Sequence, residues 1–464
     1  MGVYINGTKA GYSCTYKERI HQKHKTYVRI YSMTKMRVSR LGGNPVEMRS
    51  VQEALYNEKG MPVELVMKTK MSEQEIMMSA KINPESIIFK MAQKTVKKIP
   101  YKKRIYLEVP VEKLIEENKL KKGAVYFYPI LDPISHSISE CRYEILGKEN
   151  ILILGKHYEL WHTRSKLSSL MPVITEEWID DKGKLYKSKV QTGFLETTSL
   201  RMSRQKSMEE ADRTFDIAFS TIIRTDIEIR NPQKIQSMKI ELKGLSKEKF
   251  NTFPWNDRNQ KVIEIKQNSY IIHTESIIFN EEKAVPIPVN QENLKTSLQS
   301  TLFCQSNDPE IRATAERIVE EEKNSWKASK KIADWIRQEI EPNYNVGFAS
   351  AKETLKNREG DCSEHTVLFV ALCRSIGIPA RAAVGIMHGE GFFAYHMWPE
   401  VYVGQWVDLD PKWFSVDPIS GEYFTDAAHI KFGQTELDED LFKEMIMSAS
   451  QIIGELNIHI IEYK

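Results

Sequence analysis

A chain of 464 residues with 41% hydrophobic and 28% charged side chains is long enough for about three ordinary cores, and its formal net charge of +3 names no partner by itself. No run of 18 or more apolar residues occurs, which excludes a membrane-spanning helix. The five cysteines, Cys14, Cys141, Cys304, Cys362 and Cys373, are odd in number and scattered without a CxxC pair, which excludes a disulfide framework and a thiolate metal knuckle.

The opening "MGVYINGTKAGYS" has no apolar leader region, and Asn6 stands where a myristoylation pattern requires Ser or Thr. The protein is then either cytoplasmic or found outside the cytoplasm after loss of a leader, and the second is the favoured expectation. Residues 1 to 100 hold 18 Lys/Arg against 8 Asp/Glu. These basic residues are interleaved with strand-like apolar ones, so we read them as a solvated sheet face rather than a nucleic-acid surface.

Up to about residue 205 the chain alternates as strands do, in "TYVRIYSMTKMRV", "RIYLEVP" and "ENILILGKHYELWHT". Hairpin turns are signalled by "NEKG" (57–60) and "DDKG" (180–183), in similar Pro-Val, Glu, aromatic, acidic, Lys-Gly contexts. The likeness suggests two β-rich units, 1–105 and 106–205, the second a candidate repeat of the first, with chance recurrence of hairpin grammar as the competing reading. A short helix is expected at 110–120 and a linker at 203–214. A third β-rich region runs over 206–300, with "QKVIEIKQNSYIIHTESIIF" as its clearest strands.

Beyond residue 300 the pattern turns helical. Asp308 fits an N-cap and Pro309 the first helical position, ahead of an apolar stripe of Ile311, Ala315, Ile318 and Val319. A second helix carries Trp326, Ile332, Trp335, Ile336 and Ile340 at helical spacing, and both tryptophans are expected in the core. "SAKE" (350–353) is a capping box.

A further helix opens in "REGDCSEHTVLFVALCRSIGIPAR" (358–381). Asp361 fits the N-cap and Glu364 can reach back to the cap's N–H, which puts Cys362 at the first helical position. Unpaired N–H groups and the positive end of the helix dipole would stabilise a thiolate there, and the same N–H groups would stabilise an oxyanion. Cys373, three turns on, reads as an inert core thiol, and His365 as a structural residue or part of the site's rim. Gly377 and Pro379 end the helix.

A thiolate needs a base and an orienter for that base. "FFAYHMWPEVYVGQWVDLDPKW" (392–413) offers both on two strand-like runs joined at Gly404. His396, Trp398, Glu400 and Tyr402 alternate onto one face of the first run, and Trp406, Asp408 and Asp410 share a face of the second. Pro399 removes one ladder hydrogen bond, which predicts an edge or a bulge.

These residues resemble the transglutaminase-like superfamily, whose fold is related to that of papain. The resemblance spans about residues 300–415, through Gly-Asp-Cys before a helix, Gly-Ile-Pro-Ala-Arg after it, His-x-Trp-x-Glu-Val-Tyr, and Trp-x-x-x-Asp-Pro. It implies an α+β protein: a C-terminal papain-like transglutaminase core over 301–464, with a helix-borne Cys packed on an antiparallel sheet, preceded by β-rich N-terminal domains. It also implies Cys362 as nucleophile, His396 as general base and acid, and Asp410 as the orienting carboxylate, with Asp408 the alternative.

Lys412 departs from the threonine usual in the family after Asp-Pro, and Lys356 stands where papain-like enzymes carry an oxyanion glutamine. Tyr344 is a candidate for that oxyanion role. The implied activity is acyl transfer or amide hydrolysis on a protein or peptide substrate through a Cys thioester, with no cofactor and no metal; a metal site from Cys362, His365 and His396 lacks ligand-like spacing. The competing reading is an inactive transglutaminase-like scaffold whose β-rich N-terminal region binds a protein, wall component or lipid.

Overall fold

The computed structural model describes residues 1–464 apart from 23–24, 40–44, 72–73, 92–93, 103, 134, 169–172, 193–194, 211–213, 217–221, 228, 230, 268, 345–347, 390, 411–423 and 439–455. Two compact units result: Met1–Val38 with Pro45–Phe215, and Ser39–Asn44 with Asp216–Lys464. Among the described residues no helix is long and apolar enough to cross a membrane.

The first unit contains β1 (Gly2–Ile5), β2 (Thr8–Gln22), β3 (Lys25–Ser39), β4 (Val46–Asn57), β5 (Pro62–Met71), β6 (Gln74–Ile82), β7 (Ser86–Met91) and β8 (Lys94–Pro100). A short helix, α1 (Val111–Glu116), follows. The unit is completed by β9 (Val125–Asp132), β10 (Ser137–Ile153), β11 (Lys156–Ser168), β12 (Val173–Ile179), β13 (Leu185–Thr192) and β14 (Leu195–Leu200).

These fourteen strands form one sheet in the order β8 through β1, then β14 back to β9. The stretches on either side of α1 are joined by the antiparallel β1–β14 pair, Gly2 opposite Leu200. Alternation sorts the two faces. Arg29 on β3 pairs with Glu18 on β2 and Glu53 on β4, while Ala54, Leu65, Ala80 and Phe89, in register across β4–β7, are buried on the other face. That apolar row continues into Ile105 and Leu131, so strands from both arms of the sheet share one core.

Both anticipated hairpins close in the same way. Asn57 Oδ1 accepts the N–H groups of Lys59 and Met61 at 3.0 Å each, and Asp180 Oδ1 accepts those of Lys182 and Lys184 at 2.9 Å each. Gly60 and Gly183 then take positive φ of 66° and 78°, which glycine adopts without steric penalty.

Among the described residues the second unit has eight strands of three residues or more: β15 (Ser237–Lys243), β16 (Gln260–Ile265), β17 (Ser269–Glu275), β18 (Ala380–His388), β19 (Phe392–Tyr402), β20 (Trp406–Asp408), β21 (His429–Thr435) and β22 (Asn457–Tyr463). One sheet runs β16–β17–β15–β22. In the other, β18 lies between β19 and β21, and β20 pairs with β19. Met238, Ile240 and Leu242 of β15 and Ile272 of β17 pack against Ile386, Phe393 and Ile430 of the second sheet.

Among the described residues, besides a single turn at Lys247–Phe250, four longer helices accompany them: α2 (Pro309–Val319), α3 (Ser325–Glu339), α4 (Ala351–Asn357) and α5 (Cys362–Ser375). The caps are those the sequence signals. Asp308 accepts from Glu310 N–H with Pro309 at the first helical position, and Ser350 with Glu353 forms a capping box. Trp326 is buried, but Trp335 is only half-buried and carries the Arg358 guanidinium 4.7 Å from its ring centroid, so it lies at the margin of the core rather than in it. Every side chain from Ser363 to Arg374 on α5 is buried, the mark of a helix enclosed on all sides. Thr366 Oγ donates to Met397 O at 3.1 Å, which ties α5 to β19.

Pro399 does not make β19 an edge. The strand pairs with β18 along its length and with β20 at Glu400–Tyr402. The carbonyl of Pro399 accepts Leu409 N–H at 2.9 Å on the β20 side, so the missing N–H faces that side as well and the long β18 ladder is left intact.

Candidate active site

Cys362 stands at the first position of α5, which the capping box fixes. Asp361 Oδ1 accepts Ser363 N–H at 2.8 Å, and Glu364 Oε2 accepts the Asp361 N–H at 2.9 Å. The other Glu364 oxygen accepts Ala349 N–H at 2.8 Å, so one buried carboxylate clamps the helix start to the segment before α4. All five cysteines are free. Cys14 is exposed, Cys362 half-buried, and Cys141, Cys304 and Cys373 are buried. Burial pushes the Cys304 thiol up to about 11 and raises Cys373 further still, which makes both inert as nucleophiles.

His396 comes to the thiol from β19 and is 3% exposed. Its Nε2 donates to Asp410 Oδ2 at 3.2 Å, and the Cys362 thiol is a near neighbour of the ring. Burial disfavours the imidazolium, but the Asp410 carboxylate, its hydrogen bond and the neighbouring Cys362 outweigh it and lift His396 to about 9. The Asp410 carboxyl is buried too, and its two imidazole neighbours hold it far below the usual carboxylate range.

Asp408 lies elsewhere. It sits opposite Glu400 across β19–β20, and its Oδ2 accepts Asn259 Nδ2 at 2.8 Å. Burial and the Glu400 charge hold its carboxyl well above the normal range. Glu400 shares the His396 face but accepts from Arg381 at 2.7 Å and from Lys431 at 2.5 Å, and these cations outweigh its burial and keep it ionised.

His365 is structural: its Nδ1 donates to Asp361 O at 2.8 Å, and burial lowers its pKa. Tyr344 lies close enough to Cys362 that, after burial, the charges of Cys362 and Asp361 raise its phenol. Lys356 is exposed on α4. Pro411 and Lys412 lie outside the described residues.

Sequence reasoning missed His429, which enters from β21, 19 residues after Asp410. Its Nε2 meets Asp410 Oδ2 at 3.2 Å and its Nδ1 meets Asp426 Oδ1 at 2.9 Å. Asp-x-x-His has no spacing signature of its own, so only the pairing of β21 with β18 could reveal it. Trp398 packs edge-on against His429 and near-parallel to His396, at ring-centroid distances of 5.1 and 5.9 Å. His396, Asp410 and His429 present three donor atoms within 4.8 Å of one another, a spacing open to a metal ion. Each Nε2 stands 3.2 Å from Asp410 Oδ2, which is also the distance of a hydrogen bond to a carboxylate.

Residues 312–418, which contain the thiol, the imidazole and Asp410, match the family model of the transglutaminase-like superfamily. The C-terminal region carries a transglutaminase-like domain. Ahead of the transglutaminase-like domain lies the β-rich region of the first unit. No curated protein matches the chain. Solved structures similar to it include a provisionally named cysteine protease of Cytophaga hutchinsonii, at 17% identity over 48% of this chain and 82% of that one, with a TM-score of 0.31. A β-barrel-like protein of unknown function from Brucella abortus is 12% identical over 41% of this chain and 96% of its own, with a TM-score of 0.31. A provisionally named protease of Parabacteroides distasonis is 11% identical over 82% and 69%, with a TM-score of 0.22.

Proposed function

We propose that the protein is a transglutaminase-like cysteine enzyme that cleaves or transfers acyl groups of protein or peptide amides, its α5 and the β18–β19 sheet packed in the papain manner. The observation that carries this reading is the His396 ring, hydrogen-bonded to Asp410 at 3.2 Å and near enough for its proton to be influenced by the Cys362 thiol at a helix N-terminus.

In this reading Cys362 Sγ attacks the amide carbonyl carbon, and the α5 N–H groups, with Tyr344 as a candidate second donor, take the oxyanion. The C–N bond breaks as His396 gives its proton to the leaving amine, and a thioester remains. Water or an amine then attacks that thioester. His396 takes the attacker's proton, the C–S bond breaks, and the thiolate returns. Water as acceptor gives hydrolysis; a lysine amine gives an isopeptide bond.

The test is alkylation of the native protein with iodoacetamide across pH, with mapping of the modified cysteine. Cys362 is expected to react selectively below pH 7 and to lose that advantage in His396→Ala. Reaction no faster than that of the exposed Cys14 would sink the reading. Incorporation of a labelled amine into a glutamine-containing peptide, against release of free acid, then distinguishes the acceptors.

A further inference from the structure

Behind the thiol–imidazole pair lies a second imidazole that the proposed reaction does not use. His429 is 8% exposed, and both of its ring nitrogens face carboxylate oxygens: Asp426 Oδ1 at 2.9 Å and Asp410 Oδ2 at 3.2 Å. An ionised carboxylate only accepts, so each nitrogen has to donate, and a ring that donates from both is an imidazolium. Asp410 Oδ2 thus takes two hydrogen bonds, one from His396 and one from His429.

We propose that His429 is a positioning residue: a buried cation that pins Asp410 in the geometry His396 requires and, through its charge, sets the pH at which His396 gives up its proton. The inference rests on the reading of Cys362 and His396 as a working pair.

The groups facing His429 come from every element around it. Asp410 follows β20, Asp426 precedes β21, and His396 reaches it from β19, with ring centroids 5.5 Å apart. A small polar chamber beside the ring is lined by Asp257, Glu275, Asp408 and Lys431 among others. Lys431 is committed to Asp257 and Glu400 at 2.5 Å each. His429 is therefore the cation that answers Asp426, and it shares Asp410 with His396. Burial opposes its charge, yet Asp426 and Asp410 lift it to about 10, in agreement with the donor count. Two imidazolium rings this close repel, so His429 lowers the proton affinity of His396 below the value Asp410 alone would give.

His429→Gln keeps an N–H donor for Asp410 and removes the charge. The experiment follows the rate of Cys362 alkylation by iodoacetamide in wild type, His429→Gln and Asp426→Asn across pH 5 to 11. In wild type the upper inflection, where His396 loses its proton, is expected near pH 9. In His429→Gln it is expected to rise by about one unit. In Asp426→Asn, which removes a negative charge and leaves the His429 ring donating to Asp410, it is expected to fall. A rate that falls by the same factor at every pH while the inflection stays put would mean an ordinary structural histidine and would overturn the inference.

Selective 15N labelling of histidines supplies a readout, taken on the wild-type protein, that does not depend on Cys362 reactivity. The wild-type His429 resonances, assigned through Asp426→Asn, are expected to show both ring nitrogens protonated at pH 8, and a neutral tautomer there would equally overturn the inference. A wild-type Cys362 that is no more reactive than Cys14, together with a doubly protonated His429, would defeat the proposed function while leaving the buried cation standing.

Discussion

Asp410 accepts from two imidazoles that each draw a proton into the folded protein, and that imbalance makes stability depend on pH. His429 has an ordinary value of 6.5 and reaches about 10 in the folded state. A group with a raised folded value adds stability that is fully present below its unfolded pKa and is lost as pH rises through the folded one. The loss therefore falls between about pH 6.5 and 10, and His396, lifted to about 9, adds to it in the same direction. Asp410, depressed in the folded state, acts oppositely: its contribution is present above the unfolded carboxylate range and disappears as acid protonates it. Denaturant unfolding of the second unit is expected to weaken by on the order of 3 kcal/mol between pH 7 and 10. In His429→Gln the His429 share of that decline is expected to be lost while the His396 share remains, and an equal slope in both proteins would contradict the protonated ring.

The elements that carry the site differ in how plainly their residues announce them. Three helix starts were legible because their signal is local: Asp308-Pro309, Ser350 with Glu353, and Asp361 with Glu364 all lie within one turn and cap as expected. The β19–β20 hairpin was legible through Gly404 and its two alternating runs, and the turns at 57–60 and 180–183 through their Asx and Gly residues. Tertiary pairings were not legible. His429 depends on β21 lying beside β18, the seating of Asp408 opposite Glu400 on the β19–β20 register, and the tolerance of Pro399 on which side of β19 its missing N–H faces.

One position in that sheet joins the two kinds of information. Gly385 on β18 pairs with His396, and an added Cβ there would come within 2.1 Å of Ile430 O and 2.9 Å of the Trp398 ring. The glycine lets β18 and β21 close up and lets Trp398 lie beside both imidazoles. Gly385→Ala is expected to destabilise the second unit by about 2 kcal/mol, read as a lowered denaturation midpoint. Unchanged stability would mean that the sheet can open at no cost, against the close approach of the β21 backbone.

Across the whole chain, apolar burial is divided between cores that share no residues. Ala54, Leu65, Ala80, Ile87 and Phe89 belong to the first unit, and Met238, Ile240, Ile386, Phe393 and Ile430 to the second. Sequence pattern located the change from strand grammar to helix grammar near residue 300, yet β15–β17, which precede it, complete their sheet with β22 from the far end of the chain. A pairing over that separation leaves no local trace, because the loop entropy it overcomes is offset by packing rather than by any turn signal. Separate cores predict separate responses to a cavity. Ile87, fully buried on β7, loses three methyl-sized carbons in Ile87→Ala, which is expected to destabilise the first unit by about 3 kcal/mol. Scanning calorimetry should then show a transition moving to lower temperature while the rate and pH dependence of Cys362 alkylation at 25 °C stay as in wild type. If the alkylation profile moved with the Ile87 cavity, the thiol site would depend on the first unit's packing, and the description of two independently built cores would have to be abandoned.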